Sequence, residues 1–170
     1  TEEILHRNQL SSATEVLAAL WKTVPDKLCS DTSLVRTYAE QLINVNQSGE
    51  SETLLRITLN QHWHTDLVSL YGTVKGSNPS EQLLHAENWL KERPNNATLL
   101  LALGRLSLQN ELWGKALEYF EASKRLHHTK ESMAELCRLK LRMKKPQENL
   151  SPILEELLEL IELPALPLPK

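Results

Sequence analysis

Six histidines are the side chains in this sequence best suited to chemistry near neutral pH, and four fall in two short clusters, His62-Trp63-His64 and His127-His128. A neutral imidazole is a common ligand of haem iron and other transition metals. His62, His64, His127 and His128 are therefore the candidate ligands, with Trp63 as an aromatic neighbour for a bound macrocycle. Both clusters also fall where a helical apolar pattern ends, and histidine is favoured at a helix C-terminus by the dipole alone. That plainer reading competes with ligation at every one of these positions. A second group, Arg138, Lys140, Arg142, Lys144 and Lys145, gathers positive charge at the end of another helical stretch. It either compensates a helix dipole or meets an acidic partner or anionic lipid headgroups. Glu155, Glu156, Glu159 and Glu162 recur at helical spacing and read as a solvated face rather than as paired catalytic carboxylates. The sequence carries no glycine-rich phosphate loop, no G-x-S-x-G elbow, no H-E-x-x-H and no C-x-x-C, so it offers no enzyme constellation. Cys29 and Cys137 lie far apart and read as reduced thiols in a cytosolic setting.

These side chains must be carried by helices. The chain has 170 residues, with 35 leucines against six valines and five isoleucines, and only five glycines. Apolar material unbranched at Cβ keeps its rotamer freedom in a helix, which disfavours a large sheet. The balance of 19 basic and 22 acidic residues gives a net charge of −3, with the two signs interspersed. A nucleic-acid binder needs a wide basic face, so no nucleic acid is expected as a partner. No apolar run approaches the ~20 residues of a spanning helix. The chain starts without Met inside what reads as an amphipathic helix, so any membrane attachment is expected through an upstream segment.

The apolar pattern repeats. Residues 97–130 hold Leu100, Leu103 and Gly104 on one helical face, then Ala116, Phe120 and Ser123 on a second. Small residues at Gly104, Ala116 and Ser123 let two helices approach closely, while Trp113 and Phe120 fill the space beside them. This resembles the tetratricopeptide (TPR) pattern at its 34-residue period. A copy at 32–65 places Val35, Tyr38, Ala39 and Leu42 on a first helix and Ser51, Leu55 and Thr58 on a second. A shortened copy at 66–96 uses Leu70-Tyr71-Gly72 and then Ala86, Trp89 and Leu90, ending at Arg93-Pro94-Asn95-Asn96, where Pro94 stops one helix and Asn caps the next. Residues 1–31 read as an incomplete N-terminal repeat, in which Ser12-Ala-Thr-Glu15 is a capping box. Residues 131–163 read as a degenerate repeat interrupted at Pro146 with a capping helix, and 164–170 as a Pro-rich tail. The expected fold is all-α, a right-handed superhelix of stacked antiparallel helix pairs forming one solenoid.

The TPR template implies a concave groove lined by first-helix residues, which here are Ser33, Arg36, Glu40, Thr98, Leu101 and Arg105. Arg36 and Arg105 would clamp a carboxylate or an extended acidic peptide of a protein partner, or serve as ordinary surface residues. Trp21, Trp63, Trp89 and Trp113, on or beside second helices, read as packing between helices.

The strings Leu101-Ala-Leu-Gly-Arg-Leu106 and Leu112-Trp-Gly-Lys-Ala-Leu-Glu-Tyr-Phe-Glu-Ala-Ser123 closely resemble the C-terminal TPR region of the HemY-type proteins of Gram-negative bacteria. Leu17-Ala-Ala-Leu-Trp21, Leu34-Val-Arg-Thr-Tyr-Ala39, Leu67-Val-Ser-Leu-Tyr-Gly72, Ala86-Glu-Asn-Trp-Leu90 and the Leu-Pro-rich end support it over nearly the whole chain. Ser51 and Thr58 depart from it, standing where alanine is commoner. The resemblance implies an inner-membrane protein whose cytoplasmic TPR domain is linked to a late step of protohaem synthesis. It implies no catalytic activity, and no cofactor beyond the haem that the histidines would admit. The expected function is thus a non-enzymatic scaffold holding a protein partner, with haem-biosynthesis enzymes as candidates. A haem-binding or haem-transfer protein is the alternative.

Overall fold

The computed structural model describes residues 13–25, 28, 31–143 and 152, and among these every regular element is a helix. Helix α1 covers 13–22 of the described residues. It is followed by α2 (Thr32–Asn44), α3 (Ser48–Gln61), α4 (Thr65–Tyr71), α5 (Pro79–Glu92), α6 (Ala97–Gln109), α7 (Trp113–Leu126) and α8 (Lys130–Arg142). The N-termini are set by local chemistry. Asp31 accepts from the Ser33 and Leu34 amides at the start of α2, Asn78 from Glu81 just ahead of Pro79, and Asn96 from Leu99 at 2.8 Å. Thr129 and Ser132 close a reciprocal capping box on α8. Each cap satisfies amides that the helix itself leaves unpaired. Arg93 leaves the helical region just before Pro94, as the steric clash between proline and its predecessor requires.

The turns α2–α3 and α6–α7 share one construction. Asn46 and Glu111, each the residue after the end of a first-helix turn, both adopt left-handed backbone with φ of 62° and 60°. The following amide then reaches back to a helical carbonyl, Gln47 to Leu42 at 2.7 Å and Leu112 to Ser107 at 2.9 Å. This is the helix-ending geometry that glycine ordinarily supplies. Asparagine tolerates it, whereas a glutamate side chain sits there at a cost of about 1 kcal/mol. Glu111→Gly is accordingly expected to raise stability by up to ~1 kcal/mol, shifting the melting temperature up by ~2–4 °C. Thermal unfolding followed by circular dichroism checks it, and a lowered melting temperature would contradict the strain assignment.

Packing follows the small residues. A Cβ on Gly104 would run into the Phe120 ring, so the absence of a side chain there is what lets α6 and α7 close on a fully buried phenylalanine. Ser51 and Thr58, the departures from alanine, are buried, and their hydroxyls donate to the Ala39 and Leu54 carbonyls at 3.0 and 2.9 Å. Ser123 does the same to Ala97 at 2.8 Å. Ser51 and Ser123 thus carry hydrogen bonds across helix contacts where alanine would give contact alone, while the Thr58 bond stays within α3.

Two apolar clusters result, and α6 faces both. The larger runs from Val35 and Ala39 through Leu55, Tyr71 and Trp89 to Leu99, Leu103 and Leu106; the smaller gathers Leu101, Ala116, Phe120, Leu136 and Leu139. Helix α6 is the inner element, buried at Leu99 through Gly104 and again at Leu106 and Ser107.

The shortened unit has its own solution. Helix α4 stops after seven residues, and the loop behind it is held by Gln82 of α5, 1% exposed. The Gln82 amide donates to the Tyr71 and Val74 carbonyls at 3.1 and 3.0 Å and accepts from the Gly76 amide at 3.0 Å. Asn110 binds the start of α5 through the Pro79 carbonyl and the Ser80 hydroxyl, both at 2.9 Å. Gly72 lies against α6, where a Cβ would stand 2.6 Å from the Ala102 Cα. At the other end, Trp21 stacks on Tyr38 with centroids 4.1 Å apart, tying α1 to α2. Ser12, Pro146, Glu155, Glu156, Glu159, Glu162, Cys29 and the tail 164–170 lie outside the described residues.

Candidate functional site

The six groove positions fall into two sets, on α2 and on α6, with α4 packed against both helices. Ser33 belongs to the cap of α2, its hydroxyl donating to Asp31 Oδ1 at 2.6 Å. That bond, with the Leu34 amide beside it, holds the Asp31 carboxyl below the usual carboxylate range. Arg36 and Glu40 form an i,i+4 pair at 2.9 Å, each side chain nearly half exposed, and remain the solvent-facing part of the predicted groove.

The α6 set is different. Thr98 is half-buried, and Leu101 is only 7% exposed, in a cluster with Ala116 and Phe120 of α7 and Leu136 and Leu139 of α8. Leu101 is a core residue and not a groove-surface one. The template assumes a free first-helix face there, whereas Leu101 lies in an apolar cluster with residues of α7 and α8. Arg105 Nε donates to Glu135 Oε1 at 3.1 Å with both side chains mostly buried, so its guanidinium bridges α6 to α8 instead of standing free as a clamp. The other oxygen of Glu135 takes Arg138 at 3.2 Å. One carboxylate is therefore shared by two guanidiniums.

The histidines occupy helix ends. His62 and His127 are the C-terminal caps of α3 and α7, both in extended backbone, with amides bonded to Thr58 and Ser123 at 2.7 and 2.9 Å. They are the same structural position in two copies of the repeat. His64 is the N-cap of α4, where Nδ1 accepts from the Asp66 amide at 3.3 Å. That bond occupies Nδ1 and gives His64 a capping role at the start of α4. His128 is exposed on the same short connection as His127. Trp63 is already engaged, edge-on to Trp89 at 5.7 Å and 4.2 Å beneath the Arg93 guanidinium. No group of three His, Cys, Asp or Glu side chains suited to a metal occurs among the described residues. The geometry here is that of helix termination.

Of the basic run, Lys140 lies against Glu121 of α7 at 3.5 Å and is mostly buried, while Lys144 and Lys145 lie outside the described residues. Arg138 and Arg142 instead line a cavity of about 550 Å³ together with Leu108, Trp113, Glu135, Leu139, Leu141 and Met143. Trp113 is 48% exposed at its edge. The atoms nearest the space beside Gly104 are those of the Phe120 ring, whereas nearly half of Trp113 faces solvent. Trp89, by contrast, is buried and donates to Asn60 at 2.7 Å. Cys137 is buried beside the run, and burial pushes its thiol up.

Two features escaped the sequence reading. Gln82 shows itself only as a polar residue in phase with Leu83, Ala86 and Trp89 on the apolar face of α5. The second is a pair of part-buried Tyr–Glu links between helices. Tyr71 donates to Glu52 at 2.8 Å and Tyr119 to Glu87 at 3.1 Å. Burial, with the carboxylate alongside, pushes the Tyr119 phenol up to about 12 and the Tyr71 phenol well above its usual range.

No family model and no curated protein matches the chain. Among solved structures it is similar to the MamA fragment 41-end from Desulfovibrio magneticus RS-1, with 18% identity and a TM-score of 0.59 over 92% of this chain and 93% of that one. It is also similar to a MamA RS-1 double mutant, at 18% identity and a TM-score of 0.56 over 92% of each chain. MamA is a TPR-like helical repeat protein, and at this identity the likeness speaks to architecture. The chain has the all-α, TPR-like repeat fold.

Proposed function

We propose that the chain is a non-enzymatic protein-binding scaffold. In the finer reading, drawn from the HemY-type resemblance, it is the cytoplasmic part of an inner-membrane protein that gathers an enzyme of a late step of protohaem synthesis. The observation that carries the scaffold reading is the architecture: a TPR-like stack whose buried polar side chains, among the described residues, are paired except at Ser107 and Gln109, while charged side chains such as Arg36 and Glu40 face solvent. Such a stack offers surface rather than a reaction centre. Tethering at a membrane would raise the local concentration of whatever it holds.

The test titrates each purified enzyme of the last steps of protohaem synthesis against the immobilised chain by surface plasmon resonance. A saturable complex with one of them, weakened roughly tenfold (~1.4 kcal/mol) by Arg36→Ala without loss of helicity, is the expected result. No saturable complex with any of them sinks the haem-synthesis association. In parallel, haemin titration is expected to give a featureless, non-saturating Soret response. A one-to-one spectrum lost in the His62→Ala/His64→Ala or His127→Ala/His128→Ala variant would overturn the scaffold reading in favour of a haem carrier.

A further inference from the structure

The cavity at the end of α8 has a composition that specifies an occupant. Leu108, Trp113, Leu139, Leu141 and Met143 make its apolar lining, and Arg138 and Arg142 stand with them. Trp113 and Leu141 are 48% and 60% exposed, so the cavity is a trough open along one side and not a closed chamber. An open trough takes the side chains of a segment whose backbone stays outside, as when an amphipathic helix seats its apolar face in a groove. The charges then select among such segments. Among the described lining residues Glu135 is the acidic group, and it is already shared between Arg105 and Arg138. The Arg138 side chain is 76% exposed, and Arg142 is exposed as well. Guanidiniums in excess of carboxylate beside an apolar floor call for carboxylates on the incoming chain.

We propose that this trough is a docking site for an acidic, leucine-bearing amphipathic helix of a partner protein, with leucines entering between Trp113, Leu139 and Leu141 and glutamates meeting Arg138 and Arg142. The proposal rests on the protein-binding reading above but uses a surface separate from Arg36 and Glu40.

The probe is a fluorescein-labelled synthetic helical peptide with leucine at i, i+3, i+4 and i+7 and glutamate between, titrated into the full chain by fluorescence anisotropy. Saturable binding is expected, weakening at least tenfold in Arg138→Ala/Arg142→Ala and in Leu141→Glu, and falling with added salt as exposed charge pairs are screened. A lysine-for-glutamate peptide and an alanine-for-leucine peptide should both fail. Leu141 and Arg138 are exposed, so these variants keep their helical circular dichroism. Absence of saturable binding, or binding untouched by the substitutions, overturns the proposal. So do three other results: binding that appears only when Leu154 and Leu157 of the chain itself are changed to glutamate, a concentration-dependent dimer abolished by Leu141→Glu, or binding to phosphatidylserine vesicles with no binding to the peptide. Each assigns the trough to a different occupant. Failure of the peptide with Arg36-dependent capture intact removes this site alone; loss of both removes the scaffold reading.

Discussion

Phe120→Ala is expected to lower the unfolding free energy by about 3–5 kcal/mol, the range for truncating a fully buried aromatic ring. Phe120 is the single phenylalanine of the chain, is 0% exposed, and fills the space that Gly104 leaves open between α6 and α7. Truncation removes the ring's apolar burial and leaves a void that two helices clamped by the Ser123–Ala97 hydrogen bond cannot readily close. The neighbouring glycine makes the assignment stricter. Gly104→Ala alone should cost ~1–3 kcal/mol, because its methyl group drives into the ring. In the Phe120→Ala background the same methyl enters the void, and its cost should vanish or change sign. Urea denaturation of the four proteins of this double-mutant cycle measures the coupling. Additive effects would mean that the two residues do not pack as described.

Gln82→Leu is the second large effect, expected at about 2–4 kcal/mol despite replacing a polar residue by an apolar one on an apolar face. The side chain is a fastener for backbone that has no other regular structure. Without it the Gly76 amide, in a buried position, loses its partner, and the Tyr71 carbonyl loses one as well. Each orphaned buried group costs ~1–3 kcal/mol. Val74 is partly protected, since its carbonyl also accepts from Gln109 at 3.3 Å. Chemical denaturation gives the size of the loss, and amide hydrogen exchange gives its place. Faster exchange should concentrate at residues 72–78, with the α6–α7 pair unaffected. Uniform acceleration over the whole chain would show that Gln82 acts on global stability and not on this loop.

Periodicity and small-residue spacing carried much of the architecture. Gly104 with Phe120, Ala39 opposite Ser51, the stop at Pro94 and the cap at Asn96 are local or nearest-neighbour facts, and each is written in residue type at fixed spacing. The site was less legible, for a physical reason. Carrying groove positions over from a template presumes that each first-helix face has the same neighbours. Leu101 shares an apolar cluster with α7 and α8 and is core, and Arg105 meets Glu135 of α8 as half of a part-buried ion pair. Trp113 failed in the opposite sense. Its type suggests core, but as the first residue of α7 it stands at the edge of the stack, where only one side is packed. Gln82 stands out only as a polar residue on an apolar face, and its role is not legible because its partners are carbonyls and an amide, which the side-chain sequence does not encode.

The junction around α4 also bears on how this array can change over generations. Solenoids ordinarily lengthen or shorten by whole units, because each interface resembles the next. Here the contact of Gly72 with the Ala102 backbone, the Gln82 fastening and the grip of Asn110 on Pro79 and Ser80 are specific to one pair of neighbours. Duplicating or excising 66–96 would set these groups against residues that cannot answer them. The unit is keyed to its place, so this chain is free to diverge by substitution on its surface but closed to growth or loss of repeats at its centre.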